Sequence, residues 1–585
     1  MPKLSIRYQL MLLAAFVIAV FFQTQFAEIC LIDDLDALNA TLSQEHFSFL
    51  ETFFPQSFGF GYYRPLIPLT YWFDKQLWFL SSINMHFESV VGHLLNAILL
   101  FFVTRISLRR YLENSDGYIP LSVSLLFSVH PLVTESVNWI SGRTDIMMTT
   151  FVLLSLLCLL CYQTKKRYFL LGLAVIMAGI AMLAKETALG YIIGLPLILM
   201  EKRPNNVTEG ESTGTPFRVI PFLISFAVSV IIVICFDIYW PVIAITCSHL
   251  LYLQYSSFHS SDQSRGLYKR LTILAGTFCG CVLVFVAFRK TAITSGVGKI
   301  SQTFSLMFVD LNYTISVFLG AIGFYVKKFF LPLPLNFFIL EIDPLYSLAG
   351  IFVLLLIMLL LMSDELSARL SLVGFLALAP VLPFAFGTIA WSSYAERYLY
   401  LPSAFWLLAL GLWVGKWLEN RQKYSSYFVA IISLLCLVLG GITYYRNTVW
   451  KTNVDLMRDT VAQTPRKRVL REIYIWALLY AGRTQEAEHE YWLAAKVAPF
   501  GYDDRTDLRI AELLISQGRH KDALRLYQDS IQRTRYSSAK LLTAAIDFLV
   551  LMQHTEQATP EDLTNIAALE KEYRQKRAEL AARPK

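Results

Sequence analysis

Long apolar runs alternate with short polar segments over the first 450 residues, and the alternation stops there. The first run, residues 10–26, follows Lys3 and Arg7. Further runs lie near 88–104, 118–131, 146–162, 168–183, 187–200, 217–236, 238–253, 271–288, 305–331, 346–362, 370–386, 401–415 and 427–444. A helix that crosses a bilayer needs about 20 mostly apolar residues. Some runs are shorter, so the pattern predicts roughly 11–14 spans. No small-residue cleavage site follows the first run, which therefore reads as an uncleaved span rather than a signal peptide.

Composition sharpens the division. Hydrophobic residues make up 55% of the 585 positions and charged residues 16%, with a mean hydropathy of +0.49. Soluble domains carry roughly 25% charged residues. The last 135 positions hold 22 Lys and Arg and 19 Asp and Glu, a charge density well above that of the rest. Residues 1–450 are thus predicted to be a transmembrane domain and 451–585 a soluble helical domain. The net charge of +7 matches basic residues gathered in cytoplasmic loops and gives no reason to invoke nucleic acid. Most of the eight cysteines lie inside apolar runs, so no disulfide framework is implied. Cys158 and Cys161 read as packing residues.

Basic clusters set the orientation. Lys3/Arg7, Arg105/Arg109/Arg110, Lys165/Lys166/Arg167 and Lys202/Arg203 fall on one side, taken as cytoplasmic. Segments 27–87, 131–145 and 184–187 then lie on the outer side. Arg421 and Lys423 read as cytoplasmic, which places the tail outside. Between 217 and 331 the parity does not close, so one run there is re-entrant, interfacial or divided differently.

The outer segments concentrate ionisable residues near span ends, where such groups usually line a polar cavity. Asp33-Asp34 follows the first span. Alone it reads as a solvated turn or a helix N-cap, though paired carboxylates also suit a general base or a cation. Arg64 opens an amphipathic stretch reaching Leu80, interrupted by Asp74 and Lys75, that fits a surface-lying helix. His130, Glu135, Asn138, Trp139, Arg143 and Asp145 crowd the next outer segment; Arg143 and Asp145 are spaced for a local ion pair. Lys185-Glu186 reads as a helix-end salt bridge, or as a lysine reaching a phosphate with the glutamate orienting it. Glu396 and Arg397 precede another span, and Tyr398 and Tyr400 stand where aromatic belts form.

The tail repeats itself. Gly482-Arg483-Thr-Gln-Glu486-Ala487 recurs as Gly518-Arg519-His-Lys-Asp522-Ala523, and Tyr491 recurs as Tyr527, a period of 36 residues. Ala487, Tyr491, Ala494 and Pro499 match the second helix of a tetratricopeptide unit, and Ala511 stands where the second copy requires it, although Arg535 replaces the closing proline. A polar terminal helix near 560–582 completes a short solenoid.

In order along the chain stand Asp33-Asp34, Tyr63-Arg64-Pro65-Leu66, His93-Leu-Leu-Asn96, His130-Pro131-x-x-Thr134-Glu135, Gly142-Arg143-x-Asp145, Ala184-Lys185-Glu186, Ala395-Glu396-Arg397-x-Leu-Tyr-Leu-Pro402-Ser403 and Arg446-Asn447-x-x-Trp450. The ordered set resembles the transmembrane-and-tetratricopeptide-repeat family of protein O-mannosyltransferases and their bacterial relatives, of the GT-C class. The tail is shorter than in the eukaryotic members, and 201–270 carries no family landmark. The resemblance implies an all-α, polytopic glycosyltransferase with a tetratricopeptide-like α-solenoid. It implies transfer, with inversion, from a polyprenyl-phosphate sugar donor to an acceptor hydroxyl, most simply a protein Ser/Thr. Asp33 or Asp34 would be the catalytic base. Arg64, His130, Glu135, Arg143, Asp145, Lys185, Glu186, Glu396 and Arg397 would bind substrate, with Arg64, Arg143, Lys185 and Arg397 as candidate phosphate clamps. A glycolipid or polysaccharide acceptor and a lipid-linked-sugar transporter are the rivals. The expected partners are the lipid donor, the bilayer and an acceptor polypeptide held by the tail. No metal-ligand spacing is present, and a carboxylate-bound divalent cation is the one cofactor left open. The compact loops favour a bacterial inner membrane with the site facing the periplasm, with the endoplasmic reticulum as the alternative.

Overall fold

The structure is a computed structural model that describes residues 4–53, 63–111, 117–165, 167–199, 296–363, 365–390, 392–419, 421–497, 504–553 and 560–582. Two compact units divide the chain, Met1–Lys451 and Thr452–Lys585. Among the described residues the elements are helical, apart from one isolated bridge between Ile339 and Tyr394.

Apolar length determines most of the first unit. Its helices are α1 (Ile6–Phe21), α2 (Asp34–Leu42), α3 (Phe49–Phe53), α4 (Leu66–Trp78), α5 (Ser82–Tyr111), α6 (Ile119–Val129), α7 (Thr134–Asn138), α8 (Arg143–Lys165), α9 (Tyr168–Ala184), α10 (Leu189–Leu199), α11 (Gly296–Val309), α12 (Leu311–Phe330), α13 (Tyr346–Leu361), α14 (Leu366–Leu378), α15 (Tyr400–Glu419) and α16 (Ser425–Val449). Six helical stretches among the described residues are long and apolar enough to cross a membrane: Ile6–Phe26, Ser82–Arg109, Ile140–Lys165, Leu366–Phe386, Glu396–Glu419 and Ser425–Val449. Helices α6, α9 and α13 are shorter apolar helices, as is the stretch Glu186–Leu195 that includes the start of α10. The chain is a polytopic helical membrane protein. The runs predicted at 217–236, 238–253 and 271–288 lie outside the described residues.

The run read as one span over 305–331 is broken in two. Asp310 leaves the helical conformation, and its carboxylate accepts the Tyr313 amide at 2.9 Å, capping α12. Central and peripheral helices are distinct. Most of the Glu396–Glu419 stretch is buried, whereas Ser425–Val449 is largely exposed and presents Leu434, Leu437 and Val438 outward, as a lipid-facing helix does. Where lipid replaces water, helices associate through small residues that let backbones approach. At the α12–α13 crossing a Cβ on Gly350 would stand 2.0 Å from the Leu319 carbonyl oxygen.

Buried polar groups fix the bundle's register. His93 on α5 bonds Tyr400 Oη at 2.7 Å and the Ser128 carbonyl at 3.0 Å. Asn96 donates to Tyr400 and to the Ile146 carbonyl, while Thr150 donates to its side-chain oxygen. Asn447 donates to the Val20 carbonyl and accepts from Asn138, which accepts from Thr24. These motif residues tie α1, α5, α6, α7, α8, α15 and α16 together. Tyr400 is therefore a fully buried network member, and Tyr398 is buried as well. Neither stands in an aromatic belt: Tyr400 bonds His93 and Asn96 inside the bundle, and Tyr398 lies against Lys185 and Arg397.

The tail consists of α17 (Asn453–Gln463), α18 (Arg468–Tyr480), α19 (Thr484–Val497), α20 (Asp504–Ser516), α21 (His520–Arg533), α22 (Ala539–Gln553) and α23 (Pro560–Ala581). Its 36-residue period has a backbone cause. Gly482 and Gly518 adopt φ of +70° and +72°, and each closes the preceding helix with the same pair of bonds: Gly482 and Arg483 to the Leu479 and Leu478 carbonyls, Gly518 and Arg519 to those of Ile515 and Leu514. Ala487, Tyr491, Ala494, Ala511, Ala523 and Tyr527 are all buried. A third hairpin turns without glycine, through Arg535 and Tyr536 at positive φ. Pro499, read as a repeat landmark, lies outside the described residues.

Candidate active site

The ionisable motifs sit on short segments between the long helices. Pro131–Val133, Ile140–Gly142, Glu186–Ala188 and Glu396–Leu399 are single 3₁₀ turns. In so tight a turn successive side chains point about 120° apart. Glu396 and Arg397, consecutive in such a turn, are therefore aimed at different partners, and Arg143 and Asp145, two apart in the first turn of α8, point about 200° apart.

Three cation–carboxylate pairs result. Arg64 forks onto Glu186 with bonds of 2.9 and 2.6 Å. Lys185 sits between both oxygens of Asp145, 2.7 Å from each. Arg397 donates its guanidinium and its backbone amide to Glu135, the amide at 2.9 Å. The cations form one group: Arg64 and Arg397 both act electrostatically on Lys185. Tyr398 lies beneath two of them, with Lys185 Nζ 5.6 Å and the Arg397 guanidinium carbon 5.0 Å from its ring. Burial and the two guanidinium groups lower the Lys185 pKa, and Asp145 opposes them.

Asp33 belongs to the same group. Its side chain is exposed, and no hydrogen bond from a described residue occupies it. Protein packed around the carboxyl partly desolvates it and raises its pKa, Arg397 and Arg64 oppose that rise, and Asp36 adds to it. Its backbone stands at φ 62°, ψ −41°. Such a conformation costs a non-glycine residue about 1–3 kcal/mol and persists only when the surroundings impose it.

Asp34 has the opposite environment. It is fully buried and accepts the Ser141 amide at 2.7 Å, the Ser141 hydroxyl at 2.5 Å and the Ile140 amide at 3.3 Å. Burial nevertheless pushes its carboxyl up to about 7. Trp139 reinforces the junction by donating to the Ile32 carbonyl at 3.1 Å. Its ring meets Phe337, which meets Trp450 in turn. The strained backbone at Asp33 is thus clamped from both sides.

The remaining predicted site residues go elsewhere. Arg143 does not pair with Asp145; it bonds Asp74 at 2.5 Å and Thr70 at 3.2 Å and covers the Tyr71 ring. Lys185 does not pair with Glu186, nor Glu396 with Arg397. Glu396 bonds Lys328 at 2.7 Å and the Asn336 amide at 3.1 Å. His130 has both ring nitrogens engaged, accepting from the Leu132 amide and donating to the Phe329 carbonyl, and burial lowers its pKa to about 4. Asp74, Ser141 and Lys328 are partners that carried no local signal of their role. Among the described residues no group of three or more His, Cys, Asp or Glu side chains is placed to hold a metal ion.

No protein-family profile matches the chain. A protein O-mannosyl-transferase of Caenorhabditis elegans is 24% identical over 455 residues, 75% of this chain and 54% of that protein. The protein O-mannosyl-transferase TMTC2 of Mus musculus is 34% identical over 130 residues, 21% of this chain and 15% of its own length. TMTC1 of the same species is 28% identical over 171 residues, 26% and 18% of the two chains. The chain spans about half the length of the first of these relatives and less of the others. Their names bear out the resemblance drawn from the ordered motifs.

Proposed function

We propose that this chain is a membrane O-mannosyltransferase that transfers mannose from a polyprenyl phosphate to a Ser or Thr hydroxyl of a protein. One observation carries the reading: an exposed aspartate lies within electrostatic reach of Arg64 and Arg397, and Arg397 and Lys185 stand over one Tyr398 ring. Asp33 is the base. It takes the acceptor hydroxyl proton as that oxygen attacks the anomeric carbon from the face opposite the phosphate. The carbon–oxygen bond to phosphate breaks, its electron pair leaves with the phosphate, and the anomeric configuration inverts. A raised carboxyl pKa brings the base nearer neutral pH, where a positioned base contributes about 10²–10⁴-fold.

Arg64, Lys185 and Arg397 hold the charge that develops on the departing phosphate. Glu186, Asp145 and Glu135 keep those cations in place before the donor arrives, so little reorganisation accompanies the reaction. Asp34 serves as an anchor rather than as a second base, since its oxygens are already occupied. Arg143 acts through the Asp74 contact to set α4 against α8. The tail repeats hold the acceptor polypeptide. The relatives compared are animal proteins, which favours the endoplasmic reticulum over the bacterial inner membrane.

The test is Asp33→Asn and Asp34→Asn in the full chain, with dolichyl-phosphate-linked radioactive mannose and a Ser/Thr peptide. Asp33→Asn should abolish transfer while leaving donor binding and folding intact. Full transfer by Asp33→Asn refutes the assignment of the base. Label recovered in lipid or polysaccharide, with none in peptide, refutes the protein acceptor.

A further inference from the structure

Helix α2 carries Asp33 at its N-terminal edge and is only nine residues long. A helix that short is marginal unless its ends are held. Its N-terminal end is held by the bonds from Ile140 and Ser141 to Asp34. Its inner face packs Leu38 against a buried group containing Tyr71, Leu80, Met85 and Ile140. At the C-terminal end, where the last carbonyls have no partner within the helix, a side chain from α4 closes it. Lys75 Nζ donates to the carbonyls of Thr41 at 3.1 Å, Leu42 at 3.3 Å and Gln44 at 2.5 Å. All three ammonium donors are used. A cation at a helix C-terminus is also favoured by the helix dipole.

We infer that Lys75 is a positioning residue for the catalytic base: it locks α2, and through α2 the backbone at Asp33. This rests on the reading of Asp33 given above. The residue before it, Asp74, holds Arg143, so α4 is fastened to α8 by one side chain and to α2 by the next. With Asp34 bonded at one end, Lys75 at the other and Leu38 packed between them, α2 is held at three places along its length. Without Lys75 the C-terminal turn is unclosed, and a helix this short frays toward the turn that carries Asp33.

The experiment uses the full chain in detergent, with Lys75→Met and Lys75→Arg. It combines hydrogen–deuterium exchange with kinetics on dolichyl-phosphate-linked mannose and a Ser/Thr peptide. Lys75→Met should speed exchange over residues 34–43 and leave the α8 amides protected. Misplacement of a reacting group by about 1 Å can cost about 10²-fold, so kcat should fall by up to that factor while KM for the donor is kept. Lys75→Arg should restore both slow exchange and kcat. Exchange over 34–43 that matches the parent in Lys75→Met overturns the inference, as does faster exchange with undiminished kcat. Failure of the underlying reading shows separately, as full transfer by Asp33→Asn.

Discussion

Removing Asp145 tests the arrangement of the cations directly. The Lys185 and Asp145 side chains are 5% and 3% exposed, and the ammonium stands 2.7 Å from both carboxylate oxygens. Exposed ion pairs contribute about 0–1 kcal/mol. Breaking a buried pair costs about 3–5 kcal/mol, because the surviving charge is left without compensation. Asp145→Asn places Lys185 at the costly end of that range, since burial, Arg64 and Arg397 already lower its pKa with Asp145 present. The lysine should then lose its proton on folding. The unfolded chain binds the proton up to about pH 10.4, so stability rises with pH between the depressed folded value and that limit. The assay is reversible unfolding in mixed micelles, at pH 7 and pH 9, of the parent, Asp145→Asn, Lys185→Met and the double variant. Each single change should cost about 3–5 kcal/mol at pH 7, Asp145→Asn should cost less at pH 9, and the double variant should cost less than the two combined. Two small, additive losses with no pH dependence would show that the ammonium and carboxylate do not share a buried site.

Three further outcomes are expected. Asp34 has a carboxyl raised to about 7 from an ordinary 3.8. The unfolded chain therefore releases this proton first, and stability falls as pH rises from about 4 to about 7 and levels above. The apparent Tm of Asp34→Asn relative to the parent should climb over that window, and a constant difference from pH 4 to 8 would contradict the burial. Trp139→Phe keeps the ring between Phe337 and Arg397 but deletes the bond to the Ile32 carbonyl. It should cost about 0.5–1.5 kcal/mol and lower kcat more than it raises KM, as peptide-transfer kinetics would report. Gly350→Leu drives a side chain into the Leu319 carbonyl and should separate α12 from α13. A destabilisation of about 1–3 kcal/mol is expected in the same micelle assay, and a neutral result would mean that the helices do not approach this closely.

Apolar run length alone located most of the long helices, because a chain that must satisfy its backbone bonds inside lipid has almost no alternative to helix. The tail repeats were equally legible, since the turn at Gly482 and Gly518 demands a residue that tolerates positive φ and therefore recurs in the sequence. That the ionisable residues at span ends would be partnered was legible too, because charge is too costly near lipid to be left uncompensated. Which charge meets which was not. Arg143 and Asp145, Lys185 and Glu186, and Glu396 and Arg397 are close neighbours in sequence, yet every one of them pairs elsewhere, with a residue 40 or more positions away. A 3.6-residue period dictates which face of a helix is apolar. It says nothing about which helix ends and turns the bundle brings face to face, and that packing decides the partners. The different environments of Asp33 and Asp34 were likewise decided by the fold. Two identical adjacent residues became an exposed carboxylate and a buried one because the Ile140–Ser141 amides arrive from a segment more than 100 residues further along the chain.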